Sequence, residues 1–118
     1  MNISGVNISD IVKLSGADWV QKKNDASISQ IITDSRTVFS PEHSLFIAVK
    51  GERHDGHFFI DDLYRRGIRH FLISEKEIDF KKYEDANFLI AENTLSALQK
   101  WASAHRNKFN FPIIAITG

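Results

Sequence analysis

Residues 31–60, from Ile31 to Ile60, read IITDSRTVFSPEHSLFIAVKGERHDGHFFI, and the fold turns on how two apolar runs within them end. Ile31-Ile32 gives way to Thr33-Asp34-Ser35-Arg36. Leu45-Phe46-Ile47-Ala48-Val49 gives way to Lys50-Gly51-Glu52-Arg53-His54-Asp55-Gly56-His57. A short apolar run that stops at a polar cluster reads as a strand handing over to a loop. The second run is apolar without alternation, the pattern of a strand buried on both faces in a parallel sheet. If the two strands are neighbours running the same way, both polar clusters emerge at one edge, where open α/β sheets hold ligands.

The chemistry of the clusters indicates the kind of ligand. Arg36, Lys50, Arg53, His54 and His57 offer charge and donors, Thr33 and Ser35 offer hydroxyls, and Gly51 and Gly56 let backbone amides come close. This inventory suits a phosphorylated or otherwise anionic small molecule. Each cluster also has a plainer reading. Asp34-Ser35-Arg36 matches a turn whose side chains bond local backbone, and residues 51–57 match a solvated loop. Glu52, His54, Asp55 and His57 carry metal-ligand chemistry but lack the spacing of a closed zinc site. Ser35 has no nucleophile elbow around it, and Asp55 with Glu52 forms an unframed carboxylate pair. The sequence thus presents a binding surface more clearly than a reaction centre.

Working outward, 118 residues suffice for one core, with 42% apolar and 25% charged residues as in ordinary globular proteins. Fifteen basic residues balance fifteen acidic ones, so no global field points to nucleic acid or an anionic membrane. Anion recognition must be local. There is no cysteine, hence no disulfide framework, which fits a reducing compartment. The first ten residues, MNISGVNISD, do not form a signal sequence, and no apolar run reaches membrane-spanning length. The expectation is a soluble cytoplasmic protein.

Before the central stretch, Ser9 is expected to cap a helix over Asp10 to Leu14 that stops at Gly16, and Ala17 to Lys23 is a weak strand. After it, Phe58 to Arg66 reads as a helix, with Asp61 and Asp62 in the first turn, Arg65 and Arg66 in the last, and Gly67 as stop. Arg65, Arg66, Arg69 and His70 then complement a helix dipole and do not form a nucleic-acid patch. His70 to Ser74 and Asn87 to Ala91 are further strands, with Ile78, Phe80 and Tyr83 anchoring the charged connection between them. Strand, helix, strand in this order implies a right-handed crossover. Thr94 to Phe109 is the longest helix, with Leu95, Leu98, Trp101, Ala102 and His105 at helical spacing. The chain closes on Phe111-Pro112-Ile113-Ile114-Ala115-Ile116-Thr117-Gly118, an apolar strand whose final glycine is placed to open a phosphate-binding loop. The expected fold is α/β: a small, mostly parallel or mixed sheet with helices packed on it.

The segments ITDSR at 32–36, LFIAVKGERHDGHFFI at 45–60, TLSALQKWASAHRNKF at 94–109 and the closing PIIAITG together resemble the N-terminal domain of the Mur ligases. The resemblance covers about Ile28 to Gly118. It implies that residues 1–111 are a substrate-binding domain and residues 112–118 the start of a central ATP-binding domain. The implied partners are a UDP-N-acetylmuramoyl-peptide substrate and the remaining ligase domains in cis, with no nucleic acid and no membrane. The implied whole-protein reaction is ATP-dependent, magnesium-dependent addition of D-alanyl-D-alanine to UDP-N-acetylmuramoyl-tripeptide in peptidoglycan synthesis. The sibling activity that adds the third stem-peptide residue, and a non-catalytic interaction module on the same fold, stand as alternatives.

Carried over residue by residue, the resemblance gives Thr33 and Ser35 contacts to uracil or diphosphate and makes Arg36 a brace between the clusters. Glu52, Arg53 and His54 would surround the uridine, Asp55, Gly56 and His57 would shape the turn, and Gly118 would touch ATP. Asp62 to Arg69 also resembles forms fused to an alanine racemase, which would bring pyridoxal phosphate. The phosphate-binding lysine does not occur before Gly118, so the 118 residues alone are expected to catalyse nothing.

Overall fold

A computed structural model of the chain describes residues 2–33, 40–49 and 55–109. Six strands form one sheet: β1 Asn2–Asn7, β2 Asp18–Gln21, β3 Ser27–Ile32, β4 Ser44–Ile47, β5 His70–Ile73 and β6 Asn87–Ile90. Their order is β1-β3-β4-β5-β6-β2. The four central strands are mutually parallel, and each edge strand is antiparallel to its neighbour. The expected mixed, mostly parallel sheet is therefore the one observed. Every residue of β4, β5 and β6 is buried, as strands covered by helices on both faces must be.

Alternation along those strands builds two cores. Leu45, Ile47, Leu72 and Leu89 join the helices α1 Ile8–Ser15 and α3 Thr94–Phe109 in one cluster. Phe46, Ala48, Phe71 and Phe88 join α2 Ile60–Arg65 in the other. In the second core Phe71 stacks on Phe88, with centroids 5.1 Å apart, and meets Phe46 edge to face at 6.3 Å. Tyr83 is buried there, with Ile78 and Phe80 packed against it, as the connection was expected to be anchored.

Three expectations need correction. The strand β1 was not foreseen, because its sequence NISGVN has one strongly β-forming apolar residue on each side of a glycine. Ser9 does not cap α1: the N-cap is Asn7, which makes no side-chain cap bond, and Ser9 lies inside the helix. Its amide and hydroxyl instead donate to the carboxylate of Asp25, at 2.9 and 2.8 Å, so a residue from a separate loop satisfies the free first-turn amide. The stripe of α3 holds at Leu98, Trp101 and Ala102 but not at Leu95. Thr94, Ala97, Leu98 and Trp101 are buried, whereas Leu95 is 36% exposed.

Around α2 the expectation holds with a shifted start. A 3-10 helix, Gly56–Phe59, precedes α2 because Asp55 accepts from the His57 amide and opens the turn early. At its other end Gly67, with φ 104°, reverses the chain. Gly67 N–H donates to the Tyr64 carbonyl and Ile68 N–H to the Leu63 carbonyl, a paired helix stop that needs the left-handed region. Arg65 pairs with Asp61, and Arg66 with Asp62 at 3.6 Å, both one turn away, so these cations serve the helix as expected. The strand expected at 111–118 lies outside the described residues, as does the side chain of His105.

Candidate functional site

Because β3 and β4 are adjacent and parallel, with Ile32 opposite Phe46, the chain leaves both strands at the same edge of the sheet. Thr33 follows β3 there and is exposed. Ala48 and Val49 follow β4, and the chain is described again at Asp55. Ser35, Arg36, Glu52, Arg53, His54 and Gly118 lie outside the described residues. Of the expected site residues, Thr33, Asp55 and His57 are described, together with the Gly56 turn.

The two ends of the 50–54 segment are pinned together. Gly56 N–H donates to the Val49 carbonyl at 2.9 Å. A Cβ on Gly56 would stand 2.9 Å from both Ala48 Cα and Val49 N, so only glycine lets the backbones approach this closely. Ala48 in turn donates its amide to the Leu72 carbonyl at 2.9 Å and accepts from Thr94 Oγ1 at 2.7 Å. Thr94 is buried at the first turn of α3, whose start is capped by Asn93 Oδ1 accepting from Ser96 N–H at 3.0 Å. The helix is thereby seated on the end of β4. The reach of Thr94 to the end of β4 spans 46 residues and left no local signal in the sequence.

His57 points inward, and both ring nitrogens are engaged. Nδ1 is paired with Asp55 Oδ1, while Nε2 accepts the amides of Ser74 and Glu75, at 3.1 and 3.2 Å, just past β5. Accepting two N–H groups leaves no proton on Nε2, so the ring proton sits on Nδ1 and is donated to Asp55. The edge thus joins the ends of β4 and β5 and the start of α3 into one rigid frame. Beside it Phe58 is 84% exposed on the 3-10 helix. Among the described residues no three metal-ligating side chains converge, and no helix is long and apolar enough to cross a membrane.

The groups with displaced pKa values sit at the opposite edge, where β4, β5 and β6 begin. Asp85 is held below the usual carboxylate range chiefly by the hydrogen bond from Tyr64 OH, and the same bond raises the Tyr64 phenol. Arg69 donates from Nε to Asp85 at 3.0 Å and lies 4.0 Å over the Tyr64 ring. Neither the bonding nor the location of this cluster joins it to the Thr33 edge.

A family model described as "Mur ligase family, catalytic domain" matches residues 27–106. The UDP-N-acetylmuramoyl-tripeptide–D-alanyl-D-alanine ligase of Synechocystis sp. is 36% identical over 94 residues, covering 80% of this chain and 20% of that protein. The enzyme of the same name from Bacillus subtilis is 30% identical over 112 residues, covering 95% of this chain and 23% of that protein. A crystal structure of MurF from Acinetobacter baumannii superposes with a TM-score of 0.76 at 23% identity, over 92% of this chain and 22% of that one, a likeness of fold. The chain spans 20% and 23% of the length of the two curated relatives.

Proposed function

The chain belongs to the Mur ligase family, and from that premise we propose that it is the substrate-binding portion of a ligase that joins D-alanyl-D-alanine to UDP-N-acetylmuramoyl-tripeptide. The observation that carries this reading is the parallel pairing of β3 with β4, which brings the chain out of both strands, at Thr33 and at Ala48-Val49, on one edge. In this reading Thr33 and Ser35 bond uracil or diphosphate, Glu52, Arg53 and His54 surround the uridine, and Arg36 braces the two segments. Asp55, Gly56 and His57 shape the turn.

ATP and magnesium belong to another part of such an enzyme. Gly51 and Gly56 have the glycine spacing of a phosphate loop, but His57-Phe58 stands where Lys-Ser/Thr is needed. Gly56 is also buried against the β4 backbone, so its amide faces Val49 and not a ligand. Residues 51–58 do not fit a nucleoside triphosphate, and no chemical step is assigned to them. Residues 1–111 are the binding unit, and 112–118 begin the ATP-binding domain.

Calorimetry on the complete natural protein tests the proposal. UDP-N-acetylmuramoyl-tripeptide should bind, and Ser35→Ala or His54→Ala should weaken it about tenfold, as losing one hydrogen bond to a charged or polar group does. Equal affinity in all three proteins sinks the site assignment. Tighter binding of the dipeptide form than of the tripeptide form transfers the reading to the sibling ligase.

A further inference from the structure

We infer that His57 is a positioning residue that ties the turn at Asp55-Gly56 to the end of β5, so that the neighbouring strand and not β4 alone sets where that turn stands. This rests on the proposed nucleotide reading of the 50–57 segment. The geometry is explicit: Asp55 Oδ1 receives both the backbone amide of His57, at 3.0 Å, and its Nδ1 proton. Those two hydrogen bonds fix the ring plane. Nε2 is thereby aimed at the amides of Ser74 and Glu75, and it bonds both. These amides follow the last residue of β5, where no further strand residue accepts them, so the imidazole completes the edge. The ring has no donor or acceptor left for a ligand. Its contribution to binding must pass through the turn it holds.

Two replacements separate the ring's two ends. Asparagine keeps a polar group where Nδ1 stands but cannot reach Ser74 and Glu75, whereas glutamine places an oxygen near the position of Nε2. In the complete natural protein, His57→Asn should raise KM for the UDP-muramoyl peptide about tenfold, with kcat and the KM for ATP within about twofold of wild type. Deuterium uptake over 70–78 should rise with it. His57→Gln should restore both readouts. Should His57→Asn fail to fold, Glu75→Pro removes one of the two donors while leaving the ring, and should raise the same KM by a smaller factor.

Unchanged KM in His57→Asn, or failure of His57→Gln to rescue it, overturns the inference. So does a fall in kcat with KM constant. Wild type that binds no UDP-muramoyl peptide overturns the functional reading instead, and the exchange readout then decides the tie by itself.

Discussion

The side-chain amide of Asn87 donates to Nδ1 of His70 at 3.1 Å, with both residues buried where β5 and β6 begin. On the other side His70 Nε2 donates to the Glu42 carbonyl at 3.1 Å, so the ring is held neutral in one tautomer. Asn87 Oδ1 accepts from Trp19 Nε1, Lys23 N–H and Asn24 N–H, at 3.2, 2.8 and 3.3 Å. One pair of side chains therefore ties edge strand β2 and the approach to β4 onto the sheet, at the edge remote from the candidate site.

This pair makes stability fall in mild acid. Burial pushes His70 below its ordinary value of 6.5; the Glu42 carbonyl opposes this, and His43 and Arg69 push the same way as burial. In the unfolded chain the ring takes up its proton near 6.5, earlier than in the fold, so the unfolded state binds more protons between the two values. The contribution is complete above about pH 6.5 and is lost as pH falls through the lower folded value. Urea midpoints at pH 7.5 and 5.5 should differ in that sense, and His70→Gln should reduce the difference. An equal slope in the variant would remove His70 from the explanation.

Asn87→Leu should cost about 2–4 kcal/mol, because the buried His70 ring loses its donor and the Lys23 and Asn24 amides and the Trp19 indole lose their shared acceptor. Chemical denaturation gives the value. Increased exchange should appear first in β2, and uniform loss across the sheet would contradict the assignment.

Leu98→Ala should cost about 2–4 kcal/mol and Leu95→Ala less than about 0.5 kcal/mol, although both lie at helical spacing. Leu98 is 6% exposed in the core shared by α1 and α3, and Leu95 is 36% exposed. Similar costs would mean that α3 presents the other stripe.

Gly56→Ala places a methyl against the β4 backbone, which cannot yield as a side chain can. The expected cost is about 1–3 kcal/mol, with nucleotide affinity falling as well. A stable variant with unchanged affinity would show that the two ends of the 50–54 segment need not meet.

The elements that could be read from sequence were those whose signal is local. The apolar β4 run, the Asp-rich start and glycine stop of α2, and the long helix from Thr94 each depend on neighbours within a turn or a strand. Ser9 was misread because a serine before an apolar run looks like a cap whether or not it is one. The residue that fills the role, Asp25, comes from 16 positions away. On α3 the expected stripe holds at Leu98, Trp101 and Ala102 but not at Leu95, because Leu95 and Ala97 both fit the helical period and only the cluster shared with α1 chooses between them.

By itself the sequence determined that strands buried on both faces would end in clusters of charged and polar side chains, since apolar runs and polar clusters are written in order along the chain. Only the tertiary structure decided which strand ends stand together and which polar side chains are consumed in holding them. His57 has the composition of a ligand-binding residue, yet its nitrogens are satisfied by Asp55 and by amides 17 and 18 residues downstream. A side chain's hydrogen-bonding capacity is fixed by its type, but where that capacity is used depends on which distant backbone folding brings within 3 Å or so of it.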